Sequence, residues 1–341
     1  MRDDPAATPG RRWGVTRRAG RRWILAAAAA VLLGVAGYTS SPWTWSGSGS
    51  RRTTPVLLAI GDSGEVDHSY GLALAAAAGG ELGPTGTLTT AGAVENLHLL
   101  GRGRVTFGFA TADTVEAYAA QSASTGEAPV RALARLYDNY VHLIVRAELP
   151  VHSAADLRGM RVSVGSAGSG TALVADRVLR AAGLDPSGDL DRVELSLTDA
   201  TTAMRDRRID AFFVSGGLAT PAVLELAGRS EIRLIDLADI AATLRSTYGS
   251  YYQTGNVPAG TYRGMTGPIT TLVVPNLLLA TDATPDDVVE QMTGVLFASA
   301  AGITDSVPAV GQIDRHAGIF TGAVPLHNGA RAYYRSAKVA R

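Results

Sequence analysis

The chain has 341 residues, 46% of them hydrophobic and 18% charged, enough to bury one large core or two ordinary ones and too apolar for intrinsic disorder. It has no cysteine, which excludes disulfides, thiolate catalysis, zinc–cysteine sites and lipid attachment through an N-terminal Cys. The formal net charge is zero, yet residues 1–52 hold nine arginines and two aspartates, leaving 22 basic against 29 acidic residues beyond them; a nucleic-acid binder carries the opposite sign.

The N-terminus has the pattern of an export signal. Arg11, Arg12, Arg17, Arg18, Arg21 and Arg22 precede an apolar run from Trp23 to Tyr38, and charges return only at Arg51 and Arg52. Positive residues before the run hold that end in the cytoplasm. The run of about 16 residues is short for a bilayer span and long for a signal core. Two fates stay open: cleavage after Gly37, or an uncleaved membrane anchor with Trp43 and Trp45 at the interface. Both place the rest outside the cytoplasm. Ser46 to Ser50, all Gly and Ser, reads as a flexible linker.

From Pro55 onward short apolar strands alternate with helical stretches, the pattern of an α/β architecture with mostly parallel sheets. Val56–Ile60 reads as a strand that ends in the loop Gly61-Asp62-Ser63-Gly64 and feeds an alanine-rich helix. Thr87–Thr89 and Arg104–Phe109 read as strands with a helix over Ala93–Leu100 between them, and a third helix covers Thr114–Gln121. Leu133–Tyr137 and Val141–Arg146 follow as two strands, then one helical turn at Ala154–Arg158 and a strand at Arg161–Val164. That strand runs into the glycine-rich loop Gly165–Thr171, and the helix after it stops at Gly183. The strand Val193–Leu197, a helix over Asp199–Arg207, the strand Ala211–Val214, a helix over Pro221–Ala227 and the strand Ile232–Leu234 complete a second unit. The β-rich segment Pro268–Ala280 leads back to the first, with helices over Pro285–Ala301 and at the C-terminus. The expected organisation is a leader over 1–52, one lobe over 53–142 and 263–341, and another over 143–262.

The loop Gly165–Thr171 lies where a strand meets a helix, so free backbone N–H groups and the helix dipole can cradle an anion. It lacks the lysine of a P-loop and the third glycine of a dinucleotide fingerprint. The plainer alternative is a tight turn with Ser169 or Thr171 as helix cap. Glu95, in the first turn of the helix opened by Gly92-Ala93, favours the dipole as a structural residue would, and Asp113 reads as a cap for the helix at Thr114. Six histidines are scattered without metal-ligand spacing. His142, between Val141 and Leu143 on a strand, reads as packed and satisfied. No Gly-x-Ser-x-Gly elbow or acid–base constellation marks an enzyme.

Several stretches together resemble one family. They are Gly92 to Leu100 (GAVENLHLL), Leu136 to Arg146 (LYDNYVHLIVR), Leu157 to Thr171 (LRGMRVSVGSAGSGT), Asp210 to Val214 (DAFFV), Val257 to Tyr262 (VPAGTY) and Pro325-Leu326-His327. In order and spacing the set is similar to the TAXI-type solute-binding subunits of TRAP transporters, over about 55 to 335. The resemblance implies a type II periplasmic-binding-protein-like fold: two α/β lobes joined by two hinge crossovers, with the ligand in the interlobe cleft. It implies a small organic anion or amino acid such as glutamate or 2-oxoglutarate as solute, TRAP membrane subunits as partners, and no cofactor, metal or catalytic residue. Carried over by position, the ligand-binding residues are Ser63, Gly64, Asp67, His68, Glu95 and Tyr137 from the first lobe. The second lobe supplies Ser166, Ser169, Gly170, Thr171, Ser215 and Gly216. Two departures bear on the solute: the first loop reads Gly61 to His68 with acidic groups where the family has neutral ones, and Ala93 stands where the family has Ser. The rival readings are a membrane-anchored ligand-sensing receptor module and an enzyme on the same fold.

Overall fold

Residues 55–339 are described in the computed structural model; the basic leader, the apolar run and the Gly/Ser linker lie outside the described residues. The first half runs β1 (Val56–Ala59), α1 (Val66–Leu82), β2 (Thr85–Leu88), α2 (Ala93–Gly101), β3 (Phe107–Thr111), α3 (Ala112–Thr125) and β4 (Val130–Arg146). A 3-10 turn at Ala154–Leu157 leads to β5 (Arg161–Ser163), α4 (Gly170–Ala181), β6 (Asp191–Val193), α5 (Leu197–Arg205) and β7 (Ala211–Gly216). Then come α6 (Pro221–Arg229), β8 (Ile232–Ile235), α7 (Ala238–Tyr248), β9 (Gln253–Val257), β10 (Ile269–Thr281), α8 (Asp286–Thr304) and α9 (Asn328–Val339).

The strands join in the order β2-β1-β3-β10-β4-β7-β5-β6, with β8 also paired to β4 and β9 to β10. At one end β1 lies parallel to β2 and β3; at the other β5 lies parallel to β6 and β7. Between them β4 and β10 run antiparallel to each other, with β10 antiparallel to β3 and β4 antiparallel to β7. Apolar runs such as Val56-Leu57-Leu58-Ala59 suit parallel strands covered on both faces.

Buried side chains gather in four clusters that fall into two groups. The first group draws on β1, α1, β3, β4 up to Tyr137, β10 from Leu277 onward, α8 and α9. The second draws on β4 from Val141, α4, α5, β7, α6, α7 and β10 up to Val274. Both long strands thus change sides within a few residues of each other, and the β4–β10 register shifts between Pro275 and Leu277. In the first group α1 presses Val66, Tyr70, Leu74, Ala78 and Leu82 inward at helical spacing. Gly71 permits the close approach, since a Cβ there would stand 2.3 Å from Ile60 Cγ2.

The structure departs from the sequence expectation at several elements. The two strands expected at 133–137 and 141–146 are one 17-residue strand, because Asp138, Asn139 and Tyr140 pair with Pro275, Val274 and Val273 of β10 despite their polarity. The strand expected at Val193–Leu197 is instead Asp191–Val193, paired along β5, and the helix expected from Asp199 starts at Leu197, where Ser196 Oγ accepts the Asp199 N–H at 3.0 Å. The helix expected from Thr114 starts at Ala112, so Asp113 lies inside the first turn rather than at the cap. Its buried carboxylate accepts the Tyr252 hydroxyl at 2.8 Å, with Arg177 at 3.8 Å. His142 is buried, yet only half satisfied: Nε2 meets the Tyr262 hydroxyl at 3.0 Å while Nδ1 has no partner. α7 and β9 carry no sequence expectation at all.

Candidate functional site

Two small polar cavities lie between the first loop and α1 on one side and the Gly165–Thr171 loop on the other. The first, of about 20 Å³, is bounded by Gly61, Glu65 and Asp67, by Gly92, Ala93 and Asn96 of the α2 end, by Thr111 and Asn139, and by Ser169, Gly170, Thr171 and Ser215. The second, of about 10 Å³, shares Glu65, Ser169 and Thr171 and adds Gly165, Ser166 and the apolar Leu195, Leu197 and Phe213. Each has room for about one water-sized group.

The N-terminal ends of two helices meet here. Ser169 is the N-cap of α4: its Oγ accepts the Ala172 N–H at 3.0 Å, so the hydroxyl caps the helix and keeps its own proton free to donate. α2 begins after Gly92, which has φ +132° and packs so tightly that a Cβ would lie 3.3 Å from both Ser169 Cα and Cβ. The Glu95 N–H donates to the Gly168 carbonyl at 3.1 Å across the same junction. Both helix ends turn positive dipole toward the cavity.

Acidic side chains face them. Asp67 Oδ1 accepts from the Tyr137 hydroxyl and, at 2.7 Å, from Asn276 Nδ2. Burial raises its pKa to about 6, against the lowering effect of those two donors. Burial, with Asp67 and Asp62 close by, holds the Glu65 carboxyl well above the usual carboxylate range, eased only by the Asp62 backbone. No arginine, lysine or histidine borders either cavity.

The structure brings Asp67, Ser166, Ser169, Gly170, Thr171 and Ser215 to these cavities; Thr171 Oγ1 also accepts the Ser215 N–H at 3.2 Å. The other candidates lie off them. Ser63 is exposed, and its carbonyl accepts the Thr198 hydroxyl at 3.2 Å. Gly64, at φ +87°, abuts Ala222. His68 lies 3.5 Å from the Thr89 hydroxyl, away from the lining. Glu95 is exposed and caps its own helix through the Ala91 N–H at 2.7 Å. Tyr137 is buried beneath Asp67 and reaches the cavity only through it. Gly216 borders neither space. Lining residues outside the candidate ligand set include Glu65, Gly92, Asn96, Thr111 and Asn139. Glu65 left a signal as one of the acidic groups of the first loop, and Asn139 as part of the polar break Asp138-Asn139-Tyr140 between two apolar strands.

Among the described residues no group of three His, Asp or Glu side chains is placed to hold a metal ion, and no helix is long and apolar enough to cross a membrane. Among solved structures, a protein from Bordetella bronchiseptica RB50 is 19% identical, with 82% of this chain and 81% of that one covered and a TM-score of 0.52. The periplasmic aliphatic sulphonate binding protein SsuA from Escherichia coli is 17% identical over 84% of each chain, with a TM-score of 0.46. At such identities the likeness concerns the fold alone, which is α/β. The model of the NMT1-like family matches residues 58–337, and the chain belongs to that family.

Proposed function

We propose that the chain is an extracytoplasmic solute-binding protein that takes up a small organic solute and delivers it to membrane subunits of a transporter. In the finer reading the transporter is of the TRAP type, the protein its TAXI-type subunit, and the solute a small carboxylate or amino acid of glutamate or 2-oxoglutarate size. The two core groups act as lobes, and β4 and β10 form the hinge where they change sides. The N-terminal segment exports the chain or anchors it.

One observation carries the proposal: a polar cavity lined from both core groups, with the ends of α2 and α4 converging on it. Unbonded hydroxyl protons and backbone N–H groups at helix ends bind a carboxylate by charge-assisted hydrogen bonds. In the present arrangement the space is smaller than any such solute, so the lobes part before it enters. Binding rather than turnover fits a lining in which Ser169 and Thr171 are engaged as a cap and a strand contact.

Native mass spectrometry of the purified protein, followed by thermal shift against carboxylates and amino acids, tests this. A co-purifying small acid and a raised melting temperature support it. No shift from any member of the library overturns it.

A further inference from the structure

The cavity beside Asp67 presents acceptors that the chain leaves only partly paired. Asn139 is 5% exposed, and its Oδ1 has no hydrogen-bond partner. Side chains alternate along a strand, so Asn139 shares the face of Tyr137, the one turned toward Asp67. Asp67 uses Oδ1 for both of its donors, leaving Oδ2 unoccupied. Glu65 borders both cavities, and its carboxyl has only the Asp62 backbone N–H as a donor. Two further polar side chains around the same space are already engaged. Asn96 accepts from Thr90 at 2.5 Å and donates to the Phe109 carbonyl at 2.9 Å, and the Thr111 hydroxyl lies 2.8 Å from that of Thr114.

A buried amide oxygen without a donor is costly, and beside it two half-buried carboxyl groups repel each other when both are charged. No cationic side chain of the described residues offsets them. We infer that the solute itself carries a protonated nitrogen, seated on Glu65, Asp67 and Asn139, while its carboxylate points to the Gly165–Thr171 loop. The inference rests on the solute-binding reading and narrows it to zwitterions: amino acids, and not the 2-oxo acids of the same skeleton. An ammonium supplies three donors to three acceptors. A 2-oxo acid brings only further acceptors and meets two carboxylates.

Calorimetric titration of the full chain with matched pairs tests it: glutamate against 2-oxoglutarate, and alanine against pyruvate. The expected result is that the amino acid of the responding pair binds at least 10-fold more tightly than its 2-oxo partner. Glu65→Gln and Asn139→Leu should each weaken the amino acid roughly 10- to 150-fold, the range for a hydrogen bond to a charged group. Asn139→Asp, which keeps an acceptor in place, should retain it. Equal or tighter binding of the 2-oxo acids overturns the inference and leaves the solute-binding reading standing. Binding by neither set overturns both.

Discussion

Asp62 Oδ2 accepts the backbone N–H of Leu197 at 3.0 Å, so a carboxylate of the first loop sits on the N-terminus of α5, 135 residues away along the chain. The contact joins the two core groups directly, and the Thr198 hydroxyl strengthens it from the Ser63 carbonyl at 3.2 Å. A negative charge at a helix N-terminus stabilises it by about 0.3–1 kcal/mol. Asp62→Ala should therefore lower the melting temperature only slightly while letting the ligand-free protein open more often. Small-angle scattering should give a larger radius of gyration, and stopped-flow mixing a faster association with solute. An unchanged radius and rate would show that other contacts hold the groups together.

Ser169→Ala addresses the α4 cap. Because Ser169 Oγ accepts the Ala172 N–H, its loss should cost about 0.5–2 kcal/mol of ligand-free stability. If the hydroxyl proton also reaches the solute carboxylate, affinity should drop roughly 10- to 150-fold. Melting curves with and without solute separate the two contributions, and full stability in the variant would remove the cap.

Asp67 makes stability depend on pH in a direction unlike that of most carboxylates. Its pKa rises from 3.8 to about 6 on folding, so the folded chain holds a proton that the unfolded chain has released. The stability it contributes is fully present below about 4 and is lost as pH rises through about 6. His142 works against it: burial lowers its pKa from 6.5 to about 4, so its contribution is present above 6.5 and is lost as pH falls toward 4. The two opposing slopes make the wild-type curve alone uninformative. The melting temperature of wild type minus that of Asp67→Asn should fall by a few degrees from pH 4 to pH 7. A flat difference would mean that Asp67 titrates normally.

Gly71 offers a test of the first core group. A larger side chain must displace Ile60 and Phe109, whose atoms lie 2.3 and 3.1 Å from the position of its Cβ. Overpacking of this kind costs about 1–3 kcal/mol. Gly71→Val should lower the midpoint of urea unfolding accordingly, with the slope unchanged; no effect would mean that α1 can move away from β1 without penalty.

The repeating elements were legible because their apolar periodicity is local. Val56–Ala59 and Ala211–Gly216 announce themselves, as do the helices opened by Gly92 and Ser169. What escaped depends on partners distant in sequence. Nothing near Asp138-Asn139-Tyr140 says that a strand continues through it; the backbone partners that keep it extended come from Val273 to Pro275. The site divides in the same way. The Gly165–Thr171 loop could be read from its glycines and hydroxyls and the acidic first loop from its Asp and Glu, whereas Asn139 acquires meaning only once α1 and β4 stand against each other. His68 and Glu95 show the reverse: polar residues in suggestive places whose partners, Thr89 and Ala91, lie off the cavities.

β4 and β10 stay paired from Val130–Thr281 to Val141–Leu272, through the place where the core changes sides. Any parting of the two groups must therefore flex this ribbon without unzipping it, and the slip in register beside Pro275 is where the ladder yields most easily. Such a ribbon behaves as a leaf spring. Its stiffness limits how far the jaws swing, and its recoil restores the same alignment on every cycle without a fresh search for matching surfaces.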